Sequence, residues 1–160
     1  MKKERLDYLN RRIAEIYPDK DLVFGYGDIN SNIMLLGEAP GSKEVEFAEP
    51  FVGQAGKHLD EFLEILNIKK EELYITNSVK FRPTRTNPKT GRLSNRTPTT
   101  KEIEAFREFI YEEIDIIQPK IIVTLGNIPL KTIFNKNIKI GDVHGQLFNE
   151  IGRASCRERV

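Results

Sequence analysis

A chain of 160 residues, 39% hydrophobic and 31% charged, has the make-up of one globular domain and is short for two. No apolar run approaches the roughly 18 residues that a membrane span needs, and the N-terminal MKKERLDYLNRR opens a charged helix in place of a secretory leader, so a cytoplasmic protein with no membrane partner is expected. One cysteine, Cys156, leaves neither a disulfide framework nor a cysteine-ligated metal site within one chain, and points to chemistry that is metal-free or oxygen-ligated.

Residues 5–16 carry Leu6, Leu9, Ile13 and Ile16 at helical spacing with Pro18 just beyond, which predicts an amphipathic helix ending before the proline. Residues 23–27, Val-Phe-Gly-Tyr-Gly, read as a turn-rich entry. The apolar run at 32–36 is followed at once by Gly37-Glu-Ala-Pro-Gly41, the pattern of a buried strand delivering a tight loop at its C-terminal end. A helix is expected over 56–66, with Leu59, Phe62, Leu63 and Leu66 facing inward, then a second strand over 73–76 with Asn77 at its end.

The net charge of +1 conceals an uneven distribution. No Asp or Glu occurs from Leu73 to Lys101, while Lys80, Arg82, Arg85, Lys89, Arg92, Arg96 and Lys101 are all basic. Such a stretch reads either as a solvated basic loop or as a segment that tracks phosphates beside a cleft. Thr99 and Glu102 then form a capping box for a helix running to about Ile117, with the apolar stripe Ile103, Phe106, Ile110, Ile114 and Ile117, and Pro119 closing it. A third strand over 121–125 turns through Gly126 and Asn127 into a short helix containing Ile128, Leu130 and Ile133.

Strands alternating with helices imply right-handed crossovers and a parallel sheet covered on both faces. A ligand then sits beyond the carboxyl ends of the strands, where Gly37 to Gly41, Asn77 to Lys80 and Gly126 with Asn127 converge. The last stretch, residues 150–160, has no apolar period and resembles the translation of a sequencing adapter. It is set aside as non-native, leaving one domain over 1–149 whose natural chain is expected to continue past Asn149.

Four blocks in order, Gly37-Glu-Ala-Pro-Gly41, Pro50-Phe-Val-Gly-Gln-Ala-Gly56, Ile75-Thr-Asn-Ser-Val-Lys80 with Arg82 and Pro83, and Leu125-Gly126-Asn127, resemble the family-4 type of uracil-DNA glycosylase over roughly residues 22–149. The resemblance implies a three-layer α/β/α fold with a short parallel central sheet, and a DNA-repair hydrolase that flips uracil out of DNA and cuts its N-glycosidic bond. It assigns Glu38 and Ala39 to the wall beside the hydrolytic water, Phe51 to the face on which uracil stacks, and Asn77 to reading the base. The carboxamide of Asn77 offers both a donor and an acceptor, which suits the O4 and N3–H of uracil and mismatches cytosine. Gly37 and Gly41 are expected to give close backbone approach and unusual dihedrals at the pocket. Lys80, Arg82, Arg85, Lys89, Arg92 and Arg96 are expected to contact DNA phosphates. Without the family context, Phe51 reads equally as a core phenylalanine and Asn77 as a strand-end turn residue.

Two departures from the family pattern carry expectations of their own. Typical members hold an iron–sulfur cluster through four cysteines, two of them N-terminal and one directly after the lysine equivalent to Lys80; Phe81 stands there, no N-terminal cysteine exists, and no cluster is expected. The family also carries a catalytic histidine in a His-Pro block after a fourth strand, and that block is absent. His144 matches a preceding segment and reads as a turn or surface residue, and His58 as a surface residue. With the last strand missing, an apolar sheet edge is expected to be exposed and turnover by these 160 residues to be weak or absent. A monomer is expected. The alternative is a non-catalytic DNA-binding relative; a nucleotide-binding protein of another kind lacks its P-loop or dinucleotide fingerprint here.

Overall fold

The computed structural model describes residues 1–134, 138–151 and 157–159, with side chains described through Phe148 outside residues 135–137. In chain order the first half holds α1 (Lys2–Ile16), β1 (Tyr26–Gly27), β2 (Ile33–Gly37), α2 (Ser42–Phe47), α3 (Gln54–Ile65) and β3 (Tyr74–Asn77). The second half holds β4 (Thr84–Thr86), β5 (Leu93–Asn95), α4 (Thr100–Ile117), β6 (Ile121–Thr124), α5 (Asn127–Phe134), α6 (Ile140–Val143), β7 (Asn149–Ile151) and β8 (Arg157–Arg159). Among the described residues no helix is long and apolar enough to cross a membrane.

The central sheet runs in the order β1-β3-β2-β6. β2 pairs in parallel with both β3 and β6, while β1 joins the edge of β3 antiparallel. The alternation of side chains along a strand splits the core in two. Met34, Leu36, Tyr74 and Ile122 pack with Leu9 and Ile13 of α1, Phe106 and Ile110 of α4 and Ile133 of α5. Leu35, Leu73 and Ile75 face the other way, onto Leu59 and Leu63 of α3. The three layers expected from the sequence are therefore present. Every residue of the expected α4 stripe is buried, and Thr99 Oγ1 accepts from the Glu102 N–H while Glu102 accepts from the Thr99 N–H.

Several expectations are corrected. Phe62 and Leu66 are exposed, because α3 buries only the narrow stripe through Gly56, Leu59 and Leu63. Ile16 at the end of α1 is exposed as well. The turn-rich entry contains β1, and the basic stretch contains the β4–β5 hairpin. That hairpin turns at Asn87, whose side chain accepts from the N–H groups of Lys89 and Thr90, with Gly91 at φ +69°. At the other margin, β6 pairs with no second strand of its sheet among the described residues, and Ile121 and Val123 on it are exposed. β7 and β8 pair antiparallel from Asn149 into the stretch set aside at 150–160; Cys156 lies outside the described residues.

Candidate active site

Parallel register sets Gly37 directly beside Asn77 at the carboxyl ends of β2 and β3. Past the sheet the two chains stay joined: the Ser78 N–H and hydroxyl both donate to the Gly37 carbonyl, at 2.8 and 2.9 Å, and the Val79 N–H donates to that of Glu38. The loop after β2 is thereby fixed to the loop after β3.

Over this junction Phe51 and Asn77 meet. A Cβ added to Gly37 would lie 2.5 Å from Asn77 Oδ1 and 2.5 Å from Phe51 Cζ. A glycine is needed there for space; no left-handed backbone is involved at Gly37, and Gly41 is extended at φ −93°, so the expectation of unusual dihedrals is corrected. The left-handed residue is Phe51 itself, at φ +56°, a conformation that costs a bulky side chain on the order of 1 kcal/mol. Two contacts hold it. Lys70 Nζ donates to the Phe51 carbonyl, and that carbonyl rests on Gly56, where a Cβ would stand 2.0 Å from the oxygen.

Together Gly37, Glu38, Ala39, Phe51 and Asn77 line one cavity of about 440 Å³, with Leu59 and Phe62 on its apolar side. Asn77 is 4% exposed, and no protein group among the described residues hydrogen-bonds its carboxamide. Among the described residues no sealed-off side-chain N or O lacks a partner, so the Asn77 amide opens onto the cavity, where a ligand or solvent completes its hydrogen bonds. Glu38 is half-buried at the same cavity, and burial holds its carboxyl above the usual carboxylate range. His58 lines the mouth but is largely exposed, 3.8 Å from Glu61; His144 is exposed, as expected.

Glu44 was not anticipated from the sequence. Its buried carboxylate accepts from the Gly41 N–H at 3.1 Å and from the Gly53 N–H at 3.0 Å, and so clamps the loop after β2 to the loop that carries Phe51. A Cβ on either glycine would lie 2.9 Å from a Glu44 oxygen. The available signal was the spacing Gly41-x-x-Glu44, a cap residue with a glutamate three positions on.

The basic residues divide. Arg85, Lys89 and Arg92 are exposed on the β4–β5 hairpin. Arg82 is half-buried, its Nε donating to Asn95 Oδ1 at 2.7 Å. Arg96 braces the stem, reaching the Thr84 carbonyl and Glu102, the latter at 2.6 Å. Burial would raise the Glu102 carboxyl, but hydrogen bonds from Arg96 and Thr99 outweigh it and hold the group below its usual value. Lys80 is corrected outright: at 1% exposure it cannot reach a phosphate, because its ammonium is turned inward onto Glu113 at 2.7 Å.

The position after Lys80, where the family resemblance implies a cluster cysteine, belongs to an aromatic group. Phe81 lies 5.8 Å from both Tyr17 and Phe106, Tyr17 stacks on Phe106 at 5.1 Å, and Lys20 Nζ stands 5.0 Å over the Phe81 ring. None of these side chains supplies a thiolate, and among the described residues no group of three His, Cys, Asp or Glu could hold a metal ion. The described residues at this position do not fit an iron–sulfur cluster.

The profile of the Uracil DNA glycosylase superfamily matches residues 24–155. The type-4 uracil-DNA glycosylase of Pyrobaculum aerophilum is 37% identical over 133 residues, 81% of this chain and 63% of the relative. The type-4 enzyme of Archaeoglobus fulgidus is 39% identical over 138 residues, 82% of this chain and 65% of the relative. That of Sulfurisphaera tokodaii is 44% identical over 113 residues, 70% of this chain and 47% of the relative. The chain thus spans between about half and two thirds of the length of these curated relatives.

Proposed function

Since the chain belongs to the uracil-DNA glycosylase superfamily, we propose that it serves a DNA-repair enzyme that hydrolyses the N-glycosidic bond of uracil in DNA. The observation that carries this reading is the meeting of the Phe51 ring and the unpartnered Asn77 carboxamide over Gly37 in one cavity. A base in a duplex is out of reach, and everting it costs a few kcal/mol. Stacking on Phe51 returns about 1–3 kcal/mol. Asn77 Nδ2 donates to O4 of uracil and its Oδ1 accepts from N3–H; cytosine presents the opposite pattern and leaves both groups unpaired in a dry site.

In the reaction the C1′–N1 bond breaks with its electron pair leaving on uracil, a water oxygen bonds to C1′, and the proton that water loses balances the one the uracil anion gains on release. Glu38 and Ala39 stand at the wall beside that water. Stabilising the departing uracil anion falls to preorganised donors, of which the Asn77 amide is one. The histidine donor of the family does not come from His58 or His144, neither of which stands in a His-Pro block. Arg82, Arg85, Lys89 and Arg92 supply phosphate contacts, with Arg96 in support. The protein is expected to act as a cytoplasmic monomer without an iron–sulfur cluster, the packing of Tyr17, Phe81, Phe106 and Lys20 fastening the chain where a cluster would.

Release of free uracil from a uracil-containing oligonucleotide by the natural full-length protein, against an Asn77→Ala control, tests the reading. Equal release by both sinks it. Salt-dependent DNA binding with no release would instead mark a non-catalytic relative. Iron analysis of protein purified without oxygen tests the cofactor statement, with stoichiometric iron as the contrary result.

A further inference from the structure

On the face of β3 away from the cavity, the structure buries a complete ionic network. Lys80 and Glu113 are 1% and 2% exposed. The ammonium donates to Glu113 Oε2 at 2.7 Å, to the Asn77 carbonyl at 3.0 Å and to Thr76 Oγ1. The other carboxylate oxygen accepts from the Tyr74 hydroxyl at 2.6 Å. Gly25 closes the group, since a Cβ there would lie 2.1 Å from the Tyr74 hydroxyl and 2.9 Å from Glu113 Oε1. All three ammonium protons and both carboxylate oxygens are engaged.

For stability alone this is a poor choice of residues. Desolvating two charges is expensive, and an apolar pair of similar volume commonly holds two elements together as well or better. The strain registers on the lysine, whose ammonium burial pushes below its ordinary value against the opposing pull of Glu113. What an apolar pair cannot do is donate hydrogen bonds to the last two residues of β3, Thr76 and Asn77. Those residues sit where the ladder with β2 ends at Gly37 and Asn77.

We infer that Lys80, held in place by Glu113 and through it Tyr74, is a positioning residue for Asn77. The ammonium fixes the Asn77 carbonyl and so the peptide from which the carboxamide projects over Gly37. The carbonyl of Asn77 is thus held by Lys80 from one face of the sheet, and its amide is left for the base on the other. This inference rests on the uracil-reading role of Asn77.

The test uses the natural full-length protein and four variants: Lys80→Met, Lys80→Met with Glu113→Leu, Glu113→Gln, and Ile110→Val as a core control on the same helix that makes none of the network's hydrogen bonds. Kcat on uracil-containing DNA, DNA affinity, uracil-over-cytosine preference and Tm are measured for each. Lys80→Met is expected to lower both Tm and kcat. The paired apolar variant is expected to recover Tm while kcat stays about tenfold to a hundredfold down, at unchanged DNA affinity and with weakened base preference, the signature of a misaimed group. Recovery of kcat together with Tm overturns the inference. Should the paired variant fail to fold, Glu113→Gln is compared with Ile110→Val at equal loss of Tm, and equal kcat for the two likewise overturns it. Wild-type protein that releases no more uracil than Asn77→Ala removes the underlying reading, and this is seen before any Lys80 variant is made.

Discussion

The cavity over Gly37 and the cationic hairpin of β4 and β5 are built on opposite plans. Each wall of the cavity is held by contacts distant in sequence: Ser78 to Gly37 across 41 positions, Lys70 to Phe51 across 19, Lys80 to Glu113 across 33. The hairpin is held mostly by its neighbours, Asn87 to Lys89 and Thr90 at its turn and Arg85 to Ser94 across its rungs. The difference matches what each has to do. Reading a base edge needs groups placed to within a fraction of an ångström, whereas attraction to phosphates acts over a Debye length of about 8–10 Å and tolerates a loosely placed side chain.

If that contrast is right, damage to the cavity is paid in turnover and damage to the hairpin in salt-dependent affinity. The largest effect is expected from Asn77→Ala, which removes the one carboxamide left open to the cavity; kcat should fall at least about a hundredfold, with Tm nearly unchanged because no protein partner is lost. A kcat within a few-fold of wild type would break the comparison at its strongest point. Phe51→Ala follows, at about 1–3 kcal/mol of stacking or roughly tenfold to a hundredfold in kcat/KM. Phe51→Gly sharpens the result: it loses the same ring but relieves the left-handed backbone, so its Tm should not fall below that of Phe51→Ala.

On the hairpin, Arg85→Gln, Lys89→Gln and Arg92→Gln should each weaken DNA binding a few-fold at moderate salt and lower the slope of log affinity against log salt by about one unit or less, with kcat at saturating DNA unchanged. Titrating each variant over a range of salt measures both quantities. A fall in kcat at saturation would mean that the hairpin shares in placing the base and that the two regions are not separable.

How far the sequence disclosed this division depended on how local each feature is. The strand-then-loop pattern at 32–41 and the Ile103 to Ile117 stripe are local periodicities, and both appear in the structure as read. α2 escaped notice because a six-residue helix whose buried residue is Glu44 has no apolar face to detect. Lys80 reads as a phosphate contact in the sequence because its partner lies on α4, 33 residues away. A trace of the pairing was nonetheless present: Glu113 falls at helical spacing between Ile110 and Ile117, on the buried stripe of α4, where an isolated carboxylate calls for a buried cation. The juxtaposition of Phe51 with Asn77 follows from neither block alone, since it depends on the register of β2 with β3 and on the backbone turn at Phe51.

The smallest effect expected concerns Glu38, and it tests whether the cavity is dry enough to disfavour charge. Burial raises its carboxyl above the usual carboxylate range, so between the unfolded and folded values the native state binds more protons than the unfolded chain. Stability then falls as pH rises through that window, and the penalty for the ionised group is fully present above the folded value and absent below the unfolded one. Glu38→Gln removes the penalty. It should raise Tm modestly at neutral pH, and the gain should shrink to nothing as pH falls below about 4. The Glu102→Gln variant serves as its mirror image: the hydrogen bonds from Arg96 and Thr99 lower that carboxyl, so its loss should cost Tm at neutral pH and cost progressively less as pH falls through the folded value. Two substitutions of identical chemistry, one at the cavity and one at the foot of the hairpin, are thus expected to move Tm in opposite directions, and a shared sign would show that desolvation at Glu38 is not what sets its titration.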